Sequence, residues 1–133
     1  MILKCIAVDD EPLALDIIED YVSKVPFLEL VKRTENAIEA LQLVQAGGID
    51  LVFLDIQMPK ADGFSLLRRF EEIPFEVVFV TSFDKYAINA IRFSALDYLL
   101  KPIDVKDLAE TILKARKRIA EKKSISVRGL FLI

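Results

Sequence analysis

The chain has 133 residues, 53% apolar and 29% charged, with a net charge of −3, which describes one domain with a real core and excludes both a disordered segment and a pair of ordinary domains. It contains no histidine and a single cysteine, which excludes Ser-His and Cys-His nucleophilic mechanisms, a His/Cys zinc site, a disulfide framework and phosphate carriage on a histidine of its own. Its apolar runs fall far short of the roughly 18 residues that cross a bilayer, and no basic segment precedes the first of them, so the expected address is cytoplasmic, without signal peptide or membrane partner.

In chain order, a first strand is expected over residues 2–8, where Cys5 alternates with apolar neighbours and reads as a buried thiol. A helix follows Asp10, a good N-cap residue, with Pro12 in its first turn and Leu13, Ile17 and Tyr21 as its apolar face. The second strand is predicted over 27–32 and the second helix over 37–46, stopped by Gly47-Gly48. The third strand, 51–55, is almost wholly apolar until Asp55, and the third helix begins at Asp62-Gly63 and carries Phe64, Leu67 and Phe70. A fourth apolar strand over Glu76–Thr81 leads to a helix over 85–92 with Ala87, Ala90 and Ile91 as its apolar face. A short strand, Asp97–Leu100, precedes a last helix over 105–122, capped by Asp104 and burying Leu108, Ile112, Ala115 and Ile119. The tail 124–133 follows a polar hinge and reads as one more strand, either packed back on the domain or, as we favour, the front of something longer.

Five βα units in a row imply a parallel sheet with right-handed crossovers and helices on both faces. Continuous apolar runs in the third and fourth strands fit strands covered on both sides. Ligands in such folds bind beyond the carboxyl ends of the strands. Asp9-Asp10, Asp55, Thr81 and Lys101 all stand at those ends, while the second strand supplies no such group, as suits a strand at the sheet edge. An acid cluster, a hydroxyl and an ammonium around one crevice could surround a small anion. A carboxylate such as Asp55 can attack phosphorus to give an aspartyl phosphate. The charge barrier to that attack calls for a hard divalent cation, and Asp9, Asp10 and Asp55 offer the oxygen donors that Mg²⁺ prefers.

The blocks Val8-Asp9-Asp10-Glu11-Pro12, Leu54-Asp55-Ile56-Gln57-Met58-Pro59 with Gly63, Thr81-Ser82, and Tyr98-Leu99-Leu100-Lys101-Pro102, in this order and spacing, resemble a response-regulator receiver domain over residues 1–122. The stretches 81–87 and 95–102 are similar to the LytTR subgroup, whose receiver is joined to a DNA-binding domain. The resemblance implies a flavodoxin-like (βα)5 fold with strand order 2-1-3-4-5. It implies Asp55 as acceptor of a phosphoryl group from a sensor histidine kinase, and Mg²⁺ held by Asp9, Asp10, Asp55 and the backbone carbonyl of Gln57. It further implies Lys101 as the fixed cation, Thr81 as switch hydroxyl, Tyr98 as its aromatic partner, and a cis bond before Pro102. Read without the resemblance, Tyr98 is as readily plain packing. The small Ser82 leaves room above the phosphate site. The implied activity is a phosphoaccepting switch with self-catalysed transfer and slow self-hydrolysis, not a turnover enzyme. Phosphorylation-dependent homodimerisation is expected on the face of the fourth helix, fifth strand and fifth helix. Residues 123–133 would then be a linker and the start of an output domain, and DNA contact would belong to that domain.

Three other readings fit the residues less well. A phosphorylation-independent interaction module would be signalled by loss of an acid, the lysine or the threonine, and none is lost. An aspartate-nucleophile phosphatase of the haloacid dehalogenase kind needs a second acid two residues after the nucleophile, where Gln57 stands. Nucleotide-binding glycine loops are absent from a chain with four glycines. The basic residues from Lys114 to Lys123 read as the solvated end of a helix rather than as a nucleic-acid face.

Overall fold

The computed structural model describes residues 1–58 and 62–132, with side chains to Lys123; Pro59 of the third-strand motif lies outside these residues. Strands β1 (Leu3–Val8), β2 (Leu28–Thr34), β3 (Leu51–Leu54), β4 (Glu76–Thr81) and β5 (Asp97–Leu100) alternate with helices α1 (Pro12–Ser23), α2 (Ala37–Gln45), α3 (Gly63–Leu67), α4 (Ala87–Arg92) and α5 (Val105–Leu132). All strand pairings are parallel and the order is β2-β1-β3-β4-β5, as expected.

The continuous apolar runs are explained by the two-residue period of a strand. Leu51 and Phe53 of β3 and Val78 and Val80 of β4 face α1 and α5, where they meet Leu15, Ile18, Leu108 and Ile112. Val52, Leu54, Val77 and Phe79 point the other way, toward Ala40 and Val44 of α2, Phe64 and Leu67 of α3, and Ala90 of α4. Cys5 is buried, and burial, with the nearby Glu29 and Asp50 carboxylates adding to it, pushes its thiol up to about 12. Gly47 and Gly48 end α2 with φ of +87° and +84°, values that only glycine adopts without strain. No helix among the described residues is long and apolar enough to cross a membrane.

Four expectations are corrected. The N-cap of α1 is Glu11, not Asp10, and no side chain caps it. With Pro12 opening the helix, the cap falls on the residue before the proline. The buried face of α1 is Ala14, Leu15, Ile18 and Val22; of the expected face, Ile17 and Tyr21 are half-buried, Tyr21 packing against the core, and Leu13 is exposed. Leu13 lies three and seven residues before Asp16 and Asp20, shares their side of the helix, and is carried to solvent with them at 67% exposure. In α4, Ile91 faces out beside Ile88 and only Ala90 is fully buried. Finally, the tail is not a strand, because α5 continues through it to Leu132. A strand there would need an edge to pair with, whereas a continuing helix satisfies its backbone groups internally.

Candidate functional site

β1, β3, β4 and β5 lie side by side and run in the same direction, so their carboxyl ends form one rim. Backbone pairing continues past the strands and holds that rim in place. Asp55 N–H donates to the Val8 carbonyl at 2.9 Å, Asp9 N–H to that of Thr34 at 3.0 Å, and Lys101 N–H to that of Thr81 at 2.8 Å. Gly63 N–H donates to the Ile56 carbonyl at 2.8 Å, which brings the start of α3 against the end of β3. A Cβ on Gly63 would stand 2.5 Å from the Asp55 carbonyl oxygen, so this approach requires glycine. Asp62 caps α3 by accepting from Ser65 N–H at 2.7 Å.

Lys101 crosses the rim and ends among three carboxylates. Its Nζ lies 2.9 Å from Asp9 Oδ1, 3.1 Å from Glu11 Oε2 and 3.4 Å from Asp55 Oδ2. Its side chain is 9% exposed and those of Asp9 and Asp55 are 2% and 5%, so these charges interact with little screening. One oxygen each from Asp9, Asp10 and Asp55 lie within 4.8 Å of one another. The Lys101–Pro102 bond is cis, as the resemblance implied.

Among the described residues one ammonium faces four clustered acids, and burial adds to the cost of holding them all ionised. Burial, reinforced by the charge of Asp9 and opposed by Lys101, pushes Asp55 up to about 7. Burial also raises Asp9, against the Glu11 amide and Lys101 that favour its ionised form. For Lys101 burial alone would lower the value, but its hydrogen bond to Asp9 and the charges of Asp9 and Asp55 raise it. Asp9 Oδ2 is buried with no hydrogen-bond partner among the described residues. A buried carboxylate oxygen left alone costs about 1–3 kcal/mol or more. Hard oxygen donors, surplus negative charge and an unpartnered buried oxygen together fit a small divalent cation.

The other expected site residues surround this cluster. Gln57 lies in the β3–α3 loop; its N–H donates to Asp55 Oδ1 at 3.3 Å and its Nε2 to the Tyr86 hydroxyl at 2.9 Å. Thr81 is fully buried, and its Oγ1 accepts from Phe83 N–H at 3.4 Å rather than touching the acids. Tyr98 is half-buried, tilted against Phe79 at 6.3 Å between ring centres, and donates its hydroxyl proton to the Phe83 carbonyl. Burial raises the Tyr98 phenol above its ordinary value. The structure thus brings Asp9, Asp10, Asp55 and Lys101 into one cluster, and places Thr81 and Tyr98 on the two sides of the loop that follows β4. Sequence reasoning missed Glu11 as a partner of Lys101, although it directly follows the acid pair. It also missed Tyr86, which no sequence signal connects to Gln57.

The basic stretch of α5 is occupied with the domain's own acids. Lys114 pairs with Asp97 at 3.3 Å, Arg118 with Glu76 at 3.1 Å, Lys122 also with Glu76, and Lys123 with Asp50 at 3.8 Å. Arg116 stacks over the Phe27 ring at 4.7 Å. These contacts weaken any nucleic-acid reading of the helix.

Residues 5–113 match the family model for the response regulator receiver domain. A response regulatory protein of Shewanella oneidensis is 42% identical over 117 residues, covering 86% of this chain and 49% of that protein. The transcriptional regulatory protein BtsR of Escherichia coli K12 is 38% identical over 127 residues, covering 94% of this chain and 52% of its own length. The chain therefore spans about half the length of the curated relatives it matches. Among solved structures, the response regulatory domain of MrkE from Klebsiella pneumoniae superposes with a TM-score of 0.81 at 27% identity, covering 90% of this chain and 99% of that one.

Proposed function

This chain belongs to the response regulator receiver family and is the receiver domain of a two-component response regulator, and from that premise we propose that it accepts a phosphoryl group on Asp55 from a sensor histidine kinase. The observation that carries the proposal is the cluster itself: Asp9, Asp10 and Asp55 oxygens within 4.8 Å, with Lys101 Nζ 3.4 Å from Asp55.

In the transfer, an Asp55 carboxylate oxygen attacks phosphorus, a P–O bond forms, and the P–N bond to the donor imidazole breaks. The leaving imidazole takes its proton from solvent. The Gln57 amide holds Oδ1 of Asp55, and the Lys101 ammonium supplies fixed positive charge for a phosphoryl oxygen, the electrostatic stabilisation on which phosphoryl transfer depends. Mg²⁺, held by Asp9, Asp10, Asp55 and the backbone carbonyl of Gln57, would supply the remaining charge that lets two anions approach. Catalysis here is self-directed: the chain promotes its own phosphorylation and slow hydrolysis and does not turn over a substrate.

The new group adds roughly −1.5 to −2 charges, by analogy with other phosphorylated side chains. Thr81 would then exchange Phe83 N–H for a phosphoryl oxygen, and the loop bearing Phe83 would move together with Tyr98. A shift from 1:99 to 99:1 needs about 5.5 kcal/mol of differential stabilisation, within reach of a paired and metal-bound phosphate. Ile88, Ile91 and Leu100 stand exposed on α4 and β5, which supports self-association of the phosphorylated form on that face. The length of the relatives, and the name of BtsR as a transcriptional regulatory protein, support an output domain beyond this segment; its LytTR type, and with it contact to DNA, rests on the resemblance of the stretches 81–87 and 95–102 alone. A cytoplasmic setting goes with that reading.

The test is incubation with acetyl phosphate with and without Mg²⁺, read by intact mass, beside Asp55→Asn. A single Mg²⁺-dependent phosphoryl adduct, absent from the variant, is expected. No adduct would replace this reading by a phosphorylation-independent interaction module, and an adduct that survives in Asp55→Asn would move the acceptor to another residue.

A further inference from the structure

Gln57 is tied at both ends. Its backbone N–H holds Asp55 Oδ1 at 3.3 Å, while its side-chain Nε2 reaches the Tyr86 hydroxyl at 2.9 Å. Tyr86 closes the single 3₁₀ turn Asp84–Tyr86 between β4 and α4. Its ring is packed edge-on against Phe64 at 6.0 Å and Phe83 at 6.1 Å, with the Lys85 ammonium 5.1 Å above it. The hydroxyl therefore has a set position at the mouth of the cleft lined by Asp10, Gln57, Met58, Asp62 and Phe64. The same turn begins beside Phe83, whose carbonyl receives the Tyr98 hydroxyl. Asp55, Gln57, Tyr86, Phe83 and Tyr98 thus form an unbroken series of contacts that does not pass through Thr81.

We infer that Tyr86 is a positioning residue whose hydroxyl holds Gln57, and so couples the Asp55 carboxylate to the turn that carries the Tyr98 contact. The inference rests on the phosphoacceptor reading for its purpose, but the coupling itself is a property of the untreated protein. An exposed glutamine has several rotamers, and confining one costs about as much as a single neutral hydrogen bond returns. The tie therefore holds only because Tyr86 is already immobilised by its aromatic neighbours. Whatever displaces the Asp55 side chain or the Gln57 backbone pulls on the 3₁₀ turn through this bond, and the turn in turn restrains the loop on which Gln57 faces the acids.

The test compares the parent, Tyr86→Phe, Gln57→Ala and the double variant. Tyr86→Phe keeps the ring packing and removes only the hydroxyl. Amide hydrogen exchange over residues 83–87 in untreated protein should quicken roughly two- to tenfold in each single variant, the range one partly exposed hydrogen bond supports, and no further in the double. The lifetime of the acetyl-phosphate adduct should shift by one common factor in both single variants, again without addition. Parent-like exchange in Tyr86→Phe, or effects that add in the double, would overturn the inference. Absence of an adduct from the parent would instead overturn the phosphoacceptor reading, leaving the exchange result to decide the coupling.

Discussion

Replacing Gly63 by alanine sets two effects of known size against each other. Gly63 opens α3, where alanine would ordinarily stabilise by about 0.5–1 kcal/mol through helix propensity and a less flexible unfolded chain. The added Cβ, however, would meet the Asp55 carbonyl oxygen at 2.5 Å and Leu54 Cγ at 2.9 Å. The first of these atoms is backbone and cannot rotate away. It is anchored on one side by the 2.9 Å bond from Asp55 N–H to Val8, and α3 on the other by the 2.8 Å bond from Gly63 N–H to Ile56. Overpacking of this kind costs about 1–3 kcal/mol, and a rigid contact belongs in the upper half of that range. The net expectation is a loss of about 1–2 kcal/mol in urea unfolding followed by far-UV circular dichroism. Because the displacement enters at Asp55 and Ile56, phosphoryl incorporation from acetyl phosphate should slow in the same variant. A Gly63→Ala protein as stable as the parent, or more so, would show that the contact relaxes freely and that propensity wins.

Two further outcomes are expected at the acid cluster. Asp55, raised from 3.8 to about 7, keeps its proton in the folded chain over a pH range in which the unfolded chain has lost it. Below about pH 4 both states are protonated; between there and pH 7 stability falls as pH rises, and above pH 7 the full cost, on the order of 2–4 kcal/mol, is present. Thermal unfolding in a chelator should therefore show the parent losing stability from pH 5 to pH 8 and Asp55→Asn losing much less, with Mg²⁺ narrowing the gap; parallel curves for the two proteins would contradict the charge surplus argued for this cluster. Lys101→Met removes the cation that, among the described residues, faces these buried acids and should destabilise by about 3 kcal/mol at pH 8, as well as abolishing rapid phosphorylation. An equally stable variant at pH 8 would mean that the acids are already neutral or well hydrated.

Much of this arrangement is local and could be read along the chain. The runs at 51–54 and 76–81 alternate between two covered faces, and each terminates where a reactive group begins, so parallel strand direction alone collects Asp9, Asp55, Thr81 and Lys101 on one rim. Asp104 was legible as a cap, and Asp62-Gly63 as the start of α3, because helix starts are set by neighbours two or three residues away. The face of α1 was not legible in the same way. Two apolar stripes a residue apart both suit a helix, and the choice between them depends on which side the sheet and α5 leave open. The partners of the α5 cations, the Glu11–Lys101 contact and the Gln57–Tyr86 bond join positions 17 to 90 residues apart. Side-chain chemistry names the kind of partner such groups need, but the path of the chain in space selects which one they find. The tail shows the same limit from the other side. Its composition suits a strand, yet a strand needs a second backbone beside it, and a helix that is already formed needs only to continue.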